Sequence, residues 1–150
     1  MSVVIREAVE EDVLAIQHFI SRAGIPLDSV PLDRQKFLVA ENEEKEFVAT
    51  AAVQQVTDEE TLLRSFIVDG GKVNGSFVLK MLETCLQYAW QKGATTVYVM
   101  VNQAGDMLEK LGFQPVSPDE RSVALMKLPE VVSHLEEGRV LYKQTNSVDN

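Results

Sequence analysis

The stretch 68-VDGGKVNGSFVLK-80 joins an apolar run to a long amphipathic segment. The run before it, 61-TLLRSFIV-68, has apolar residues on both faces, which is typical of an interior strand. The segment after it, 76-SFVLKMLETCLQYAWQKG-93, keeps apolar residues on one side at helical spacing. A glycine-containing loop before a helix is typical of an anion site, because the first backbone N–H groups of the helix lack partners. The stretch therefore predicts a strand, a phosphate-binding type of loop and a helix.

Further strands and helices flank this central part of the chain. Strands are predicted at 2–8, twice within 37–56 around a polar turn at 42–45, at 61–68 and 95–101, and around 113–116 and 122–128; helices are predicted at 10–24, 76–93, 104–112 and 130–138. Residues 25–34 contain two prolines and predict a loop. This order predicts an α/β (α+β) fold with a mixed central sheet of six to seven strands and helices on both faces. We expect one domain at 1–128 and a partly disordered C-terminal extension at 129–150.

The composition limits the classes of partner. The chain has 150 residues, a formal net charge of −9 and 45% hydrophobic residues, which is ordinary for a soluble globular domain. The negative charge disfavours a nucleic-acid binder, and no apolar run approaches the roughly 18 residues that cross a bilayer. The N-terminus has no signal-peptide pattern, and Cys85 alone makes no internal disulfide. We therefore expect a cytoplasmic protein that binds neither nucleic acid nor membrane.

Five phrases occur along the chain in a specific order: 5-IREAVEEDVLAI-16, 38-LVAENEE-44, 62-LLRSFIVD-69, 79-LKMLETCLQYAWQKGATTVYV-99 and 107-MLEKLGFQPV-116. Together they resemble the GCN5-related N-acetyltransferase (GNAT) superfamily over nearly the whole chain. The phrase 108-LEKLGF-113 after a strand is the strongest single match. Within the superfamily, 22-RAGIPLDSV-30 and 62-LLRSFIV-68 are most similar to a bacterial branch found in arsenic-resistance operons.

The resemblance implies a cofactor and a reaction. In this family the fourth strand separates from the fifth and leaves backbone groups free to pair with the pantetheine arm of acetyl-CoA. Those groups correspond here to Phe66, Ile67 and Val68. The pyrophosphate is held by the N-terminus of the next helix. An amine then attacks the thioester, with a base that removes a proton and an acid that meets the departing thiolate.

The family's pyrophosphate motif, Arg/Gln-x-x-Gly-x-Gly/Ala, falls on 73-VNGSFV-78. The resemblance thereby assigns cofactor binding to Val73, Asn74, Gly75, Ser76, Phe77 and Val78. All three defining positions depart from the motif. Val73 replaces the basic or amide residue, and Ser76 and Val78 replace the glycines, where their side chains occupy space that glycine leaves open. Asn74 or Ser76 is a candidate helix cap, and Lys72 or Lys80 is a candidate replacement for the lost positive charge. The sequence therefore predicts a weakened cofactor site.

A second departure concerns the catalytic acid. Many GNAT members carry a tyrosine immediately before 109-EKLGF-113, whereas this chain has Leu108. Leucine donates no proton, and the nearest tyrosine, Tyr98, lies within the predicted fifth strand. Glu41 and Glu60, at strand ends, are candidate bases, although a solvated turn carboxylate is the favoured interpretation of each. The catalytic residues therefore stay unassigned.

Polar residues in or beside the strands are candidates for further contacts. Arg64 and Ser65 lie within an apolar strand and are the candidate substrate-binding residues. For Arg64 a substrate contact and an internal ion pair are equally favoured, since a buried charge must be paired. Asn102, at the end of the fifth strand, is a cofactor contact or, as the favoured alternative, a helix cap. Phe77 lies against the cofactor or anchors its helix, and the second alternative is favoured.

Two functions of different classes follow. The first is an N-acetyltransferase that transfers acetyl from acetyl-CoA to a small-molecule amine. The alternative is a catalytically impaired GNAT-like domain that acts as an acyl-CoA-binding or protein-interaction module, in which acetyl-CoA binding is weak or absent. Cys85 is expected in the core, and with two distant histidines it gives no metal-ligand spacing, so no metal is predicted. A homodimer through the C-terminal strands or tail is a further option.

Overall fold

The computed structural model describes residues 3–24, 36–101 and 106–146. The strands are β1 (Val4–Glu7), β2 (Lys36–Glu41), β3 (Phe47–Gln55), β4 (Glu60–Val68), β5 (Thr96–Val101), β6 (Gln114–Pro115) and β7 (Val140–Thr145). The helices are α1 (Val13–Arg22), α2 (Gly75–Gln91), α3 (Asp106–Lys110) and α4 (Pro129–Glu136). The strands form a seven-stranded mixed sheet in the order β1-β2-β3-β4-β5-β7-β6, which confirms the predicted α+β fold and the interior position of β4.

Residues 1–54 and 63–88 form one compact unit, in which β1, β2 and β3 pair in antiparallel register. Helix α1 packs on one face of these strands, in a cluster of Ile16, Ile20, Phe37, Val39 and Ala52. The alternating residues of β2, Leu38 and Ala40, are buried too, so this strand is covered on both faces. Leu14 of α1 is 79% exposed and takes no part in this cluster.

An arginine ties the first strand of this unit to its neighbours. The Arg6 guanidinium donates to Asp12, just before α1, at 2.8 and 3.1 Å and to Glu41 of β2 at 2.9 Å. Its hydrogen bonds hold the pKa of Asp12 below the usual range. The favoured interpretation of Glu41 as a solvated turn carboxylate is therefore wrong, because its carboxylate is paired with Arg6.

Residues 55–62 and 89–150 form a second compact unit, in which β7 pairs antiparallel with β5 and with β6. Its core cluster consists of Leu62, Tyr98, Val116, Leu125, Val131 and Leu141. Helix α4 confirms the helix predicted at 130–138 and contributes Val131 to this cluster. Strand β7 lies within the stretch predicted as an extension, and the sequence analysis did not identify it.

The strand predicted at 122–128 is wrong. This segment contains a turn and a short 3₁₀ helix, Leu125–Lys127. The Ser122 hydroxyl accepts the Leu125 N–H at 3.2 Å, and the Ser122 carbonyl accepts the Met126 N–H at 3.0 Å. These local bonds satisfy backbone donors that a strand would give to a neighbour, so they favour the turn.

The loop predicted at 25–34 and the tail beyond Asn146 lie outside the described residues. Elsewhere the predicted elements are confirmed to within a few residues. Helix α2 stops near Gly93, whose φ of 102° favours glycine and whose N–H donates to the Trp90 carbonyl at 3.1 Å. None of the helices in the described part of the chain has the length and hydrophobicity that a membrane span requires.

Candidate functional site

The N-terminus of α2 is the first part of the candidate site. The helix begins at Gly75, and the side-chain oxygen of Asn74 accepts the Phe77 N–H at 3.0 Å, which confirms Asn74 as the cap. Among the described residues, the amides of Gly75 and Ser76 donate to no protein acceptor. Two of the first-turn donors of a helix of 17 residues therefore stay available to an anion.

A cavity of about 490 Å³ opens at this helix end, and we call it the α2 cavity. It is lined by Val3, Gly71, Lys72, Val73, Asn74, Ser76, Phe77 and Lys80. Among the described residues of this lining, the charged groups are the ammonium groups of Lys72 and Lys80. Because the protein as a whole is acidic, the positive charge here is local and suits a small anionic ligand.

Some of the predicted cofactor-binding residues line this cavity and others do not. Val73, Asn74, Ser76 and Phe77 line it, whereas Gly75 and Val78 do not. A methyl group added at Gly70 or Gly75 would meet no atom within 4 Å, so the protein leaves open space along the loop. Val73 and Ser76, two of the positions that depart from the GNAT pyrophosphate motif, are thus both part of the lining. Val3 also lines the cavity, and the sequence did not predict this because only the fold brings Val3 close to the start of α2.

On β4, Phe66, Ile67 and Val68 are partly buried, and Ile67 packs against the α1 cluster. Their main-chain pairing with a cofactor stays a prediction. Arg64 donates to the side-chain oxygen of Gln54 at 2.7 Å, so at least one partner of its guanidinium is an uncharged amide. The side chain of Ser65 and the whole of Asn102 lie outside the described part of the structure.

In the second unit, the Glu60 carboxylate accepts hydrogen bonds from three hydroxyl groups, of which that of Thr57 is the most distant at 3.5 Å. Tyr98 donates to one carboxylate oxygen at 2.9 Å and Ser122 donates to the other at 2.8 Å. Burial, reinforced by the hydrogen bond to Glu60, raises the pKa of Tyr98 to about 12. The favoured interpretation of Glu60 as a solvated turn carboxylate is therefore wrong, because its carboxylate connects β5 to the segment before α4.

Two further residues behave as the sequence predicts. Leu108 is 5% exposed, so its side chain is packed in the interior. Many GNAT members carry at this position the tyrosine that acts as the general acid. Cys85 is fully buried, and desolvation raises the pKa of its thiol to about 12, so it stays protonated and unreactive at neutral pH. The core position predicted for Cys85 is confirmed.

Similarity to known proteins lies mainly in the structure. No family model matches the chain. An uncharacterised protein of Bacillus subtilis (strain 168), YwlB, is 23% identical over 112 residues, which are 73% of this chain and 76% of that protein. At this level the sequence match alone leaves the family open.

Solved structures resemble the chain over almost its full length. N-acetylglutamate synthase from Neisseria gonorrhoeae, complexed with coenzyme A and N-acetyl-glutamate, matches with a TM-score of 0.76 and 17% identity, over 97% of this chain but only 35% of the synthase. A GNAT-family acetyltransferase from Staphylococcus aureus Mu50 gives 0.70 and 15% over 96% and 99% of the two chains. The ribosomal-protein-S18-alanine N-acetyltransferase of Escherichia coli gives 0.70 and 18% over 99% and 97%. The chain therefore has the GCN5-related N-acetyltransferase fold.

Proposed function

We propose that the protein is an N-acetyltransferase that takes acetyl from acetyl-CoA and transfers it to the amine of a small molecule. The observation that carries this proposal is the α2 cavity, which lies at the N-terminus of the helix after β4 in a GNAT fold. Acetyl-CoA would supply the activated acetyl thioester. A location in the cytoplasm, where this cofactor is abundant, belongs to the same proposal.

The residues of the α2 cavity fit the diphosphate of such a cofactor in charge and in donors. The free N–H groups of Gly75 and Ser76 are suited to donate hydrogen bonds to its oxygens, and Lys72 and Lys80 supply positive charge. The main chain of β4 at 66–68 would hold the pantetheine arm. Because Val73 lacks the polar group of the motif and the Ser76 side chain takes up space that glycine leaves open, we expect weaker binding than in members with an intact motif.

Arg64 and Ser65 are the proposed acceptor contacts. A guanidinium binds carboxylates through paired, charge-assisted hydrogen bonds, and Arg64 is held in place on β4 by Gln54 at 2.7 Å. This residue would suit an acceptor that carries both an amine and a carboxylate. The gonococcal synthase was crystallised with a carboxylate-bearing compound of this kind, N-acetyl-glutamate. The acid and base of the reaction stay unassigned.

Isothermal titration with acetyl-CoA tests the proposal, followed by a thiol-release assay with a panel of small amines. We expect saturable binding and amine-dependent release of free thiol. If acetyl-CoA did not bind at millimolar concentration, the proposed enzymatic function would be contradicted, because the acetyl donor would have no binding site. Binding without thiol release from any amine would favour the alternative below.

The alternative is a GNAT-like domain that binds an acyl-CoA or a protein without turnover. Three observations favour it: Leu108 is buried and donates no proton, Val73 and Ser76 line the cavity, and Asn74 takes one of the first-turn donors of α2. Each of these reduces what the site offers to the cofactor or the leaving thiolate. The thiol-release assay separates the two functions.

Restoring the motif gives a direct comparison. The triple variant Val73→Arg, Ser76→Gly, Val78→Gly is expected to raise acetyl-CoA affinity by about three- to tenfold, because a charged donor and free space are added at the helix end. Isothermal titration of native and variant proteins measures the change. Unchanged affinity would contradict the view that these side chains weaken the site. The variant Val73→Arg alone serves as a control for the added charge without the added space.

A further inference from the structure

The turn between β2 and β3 places a carboxylate on one of the two lysines of the α2 cavity. Asn42 organises this turn, because its side-chain oxygen accepts the N–H groups of Glu44 and Glu46, both at 3.0 Å. The Asn42 amide also donates to the Glu46 carboxylate at 3.1 Å. The same carboxylate oxygen lies 3.3 Å from the Lys72 ammonium nitrogen. The hydrogen bonds of this turn thus hold the Glu46 carboxylate beside the Lys72 ammonium group.

We propose that Lys72 is a phosphate-binding residue of the α2 cavity and that Glu46 is its resident counter-ion, which an incoming diphosphate displaces. The proposal rests on the proposed function and adds competition within the protein to the reasons for which we expect weak cofactor binding. It goes beyond the departures of Val73, Ser76 and Val78 from the family motif, because Glu46 belongs to none of the motif positions.

The exposure of the pair makes this exchange feasible. The Lys72 side chain is 32% exposed and that of Glu46 is 51% exposed, and ion pairs of this kind are weak and labile in water. A diphosphate carries more negative charge than one carboxylate and also reaches the free amides of Gly75 and Ser76. It therefore outcompetes Glu46 at Lys72, while Glu46 keeps its bond to Asn42.

The charges around Glu46 support this direction. The pKa of Glu46 is lowered by the hydrogen bond from Asn42 first, then by Lys72, with a smaller effect of Arg22, so the carboxylate is ionised at neutral pH. Because Lys72 lines the α2 cavity and Glu46 lies 3.3 Å from its ammonium nitrogen, the negative charge of Glu46 also repels an anion that enters the cavity. A substitution that removes the charge of Glu46 but keeps the shape of its side chain therefore isolates the effect of this charge on anion binding.

Glu46→Gln is the test, with Glu44→Gln as the matched control. Both remove one negative charge from the same turn, but the exposed Glu44 side chain makes no contact with Lys72. Isothermal titration is done with CoA, inorganic pyrophosphate and pantetheine. We expect Glu46→Gln to tighten CoA and pyrophosphate by about two- to fivefold and to leave pantetheine, which lacks the diphosphate, unchanged. Glu44→Gln is expected to leave all three near native values.

A second comparison assigns the gain to Lys72. In a Lys72→Met background, Glu46→Gln is expected to give no further tightening, because the competition no longer exists. CoA binding that Glu46→Gln leaves unchanged or weakens would overturn the inference and leave the proposed function standing. Pyrophosphate binding that responds as expected, with no CoA binding by any variant, would overturn the proposed function alone. Failure of every protein to bind either ligand would overturn both.

Discussion

Leu125→Ala is expected to lower the free energy of unfolding by about 2–5 kcal/mol, because it removes a large apolar side chain from a fully buried position. Leu125 has no exposed surface and packs in the cluster that includes Leu62, Tyr98 and Leu141. The surrounding residues belong to different elements and close only partly around the space left behind. Urea denaturation followed by circular dichroism at 222 nm measures the change.

Val123→Ala is the matched control for Leu125→Ala. Val123 is 76% exposed, so its truncation is expected to change the free energy of unfolding by no more than about 0.5 kcal/mol. In a strand, positions 123 and 125 would point to the same face, and both truncations would be costly. Similar losses for the two variants would therefore contradict the turn and support the strand that the sequence predicted.

Ser76→Glu is expected to change stability and cofactor binding in opposite directions. Ser76 is the second residue of α2, where a carboxylate interacts favourably with the helix dipole and adds about 0.3–1 kcal/mol of stability. The same carboxylate would stand in the lining of the α2 cavity and repel a diphosphate, so the Kd for acetyl-CoA is expected to rise about 10- to 100-fold. Thermal unfolding and isothermal titration measure the two effects separately.

Gln87→Glu controls for the added charge in Ser76→Glu. Gln87 is exposed on the same helix, and the two positions are about 16 Å apart at 1.5 Å per residue. Since this is twice the screening length of about 8 Å at physiological salt, the second variant is expected to bind acetyl-CoA like the native protein. Equal affinity for acetyl-CoA in Ser76→Glu and Gln87→Glu would contradict a cofactor site at the helix end.

The sequence predicted most elements of the fold because their signals are local. The apolar run of β4, the glycine-containing loop and the one-sided apolar face of α2 can each be recognised within a window of about 18 residues. Strand β7 gave no such signal. Its neighbouring residues Leu141 and Tyr142 are both buried, so the strand lacks the alternation that marks a half-exposed one. At 122–128 an apparent strand pattern was overridden by the hydrogen bonds of Ser122.

The candidate site was predicted less completely because its partners come from distant parts of the chain. Glu60 is 38 residues from Tyr98 and 62 from Ser122, and no short motif reports such a cluster. Glu46 was not predicted as a site residue for the same reason, since only the fold brings it close to Lys72. The cap, by contrast, was narrowed to Asn74 or Ser76 from the sequence, and the structure confirms Asn74, because capping depends on residues within one helical turn.

The position of Val3 has a practical consequence for every binding experiment proposed above. This residue stands immediately before β1 and contributes to the wall of the α2 cavity. An affinity tag placed next to Val3 would stand beside the proposed diphosphate position, where its charge or bulk would change the measured affinity. Titrations are therefore best made with a tag placed away from β1 or removed by cleavage.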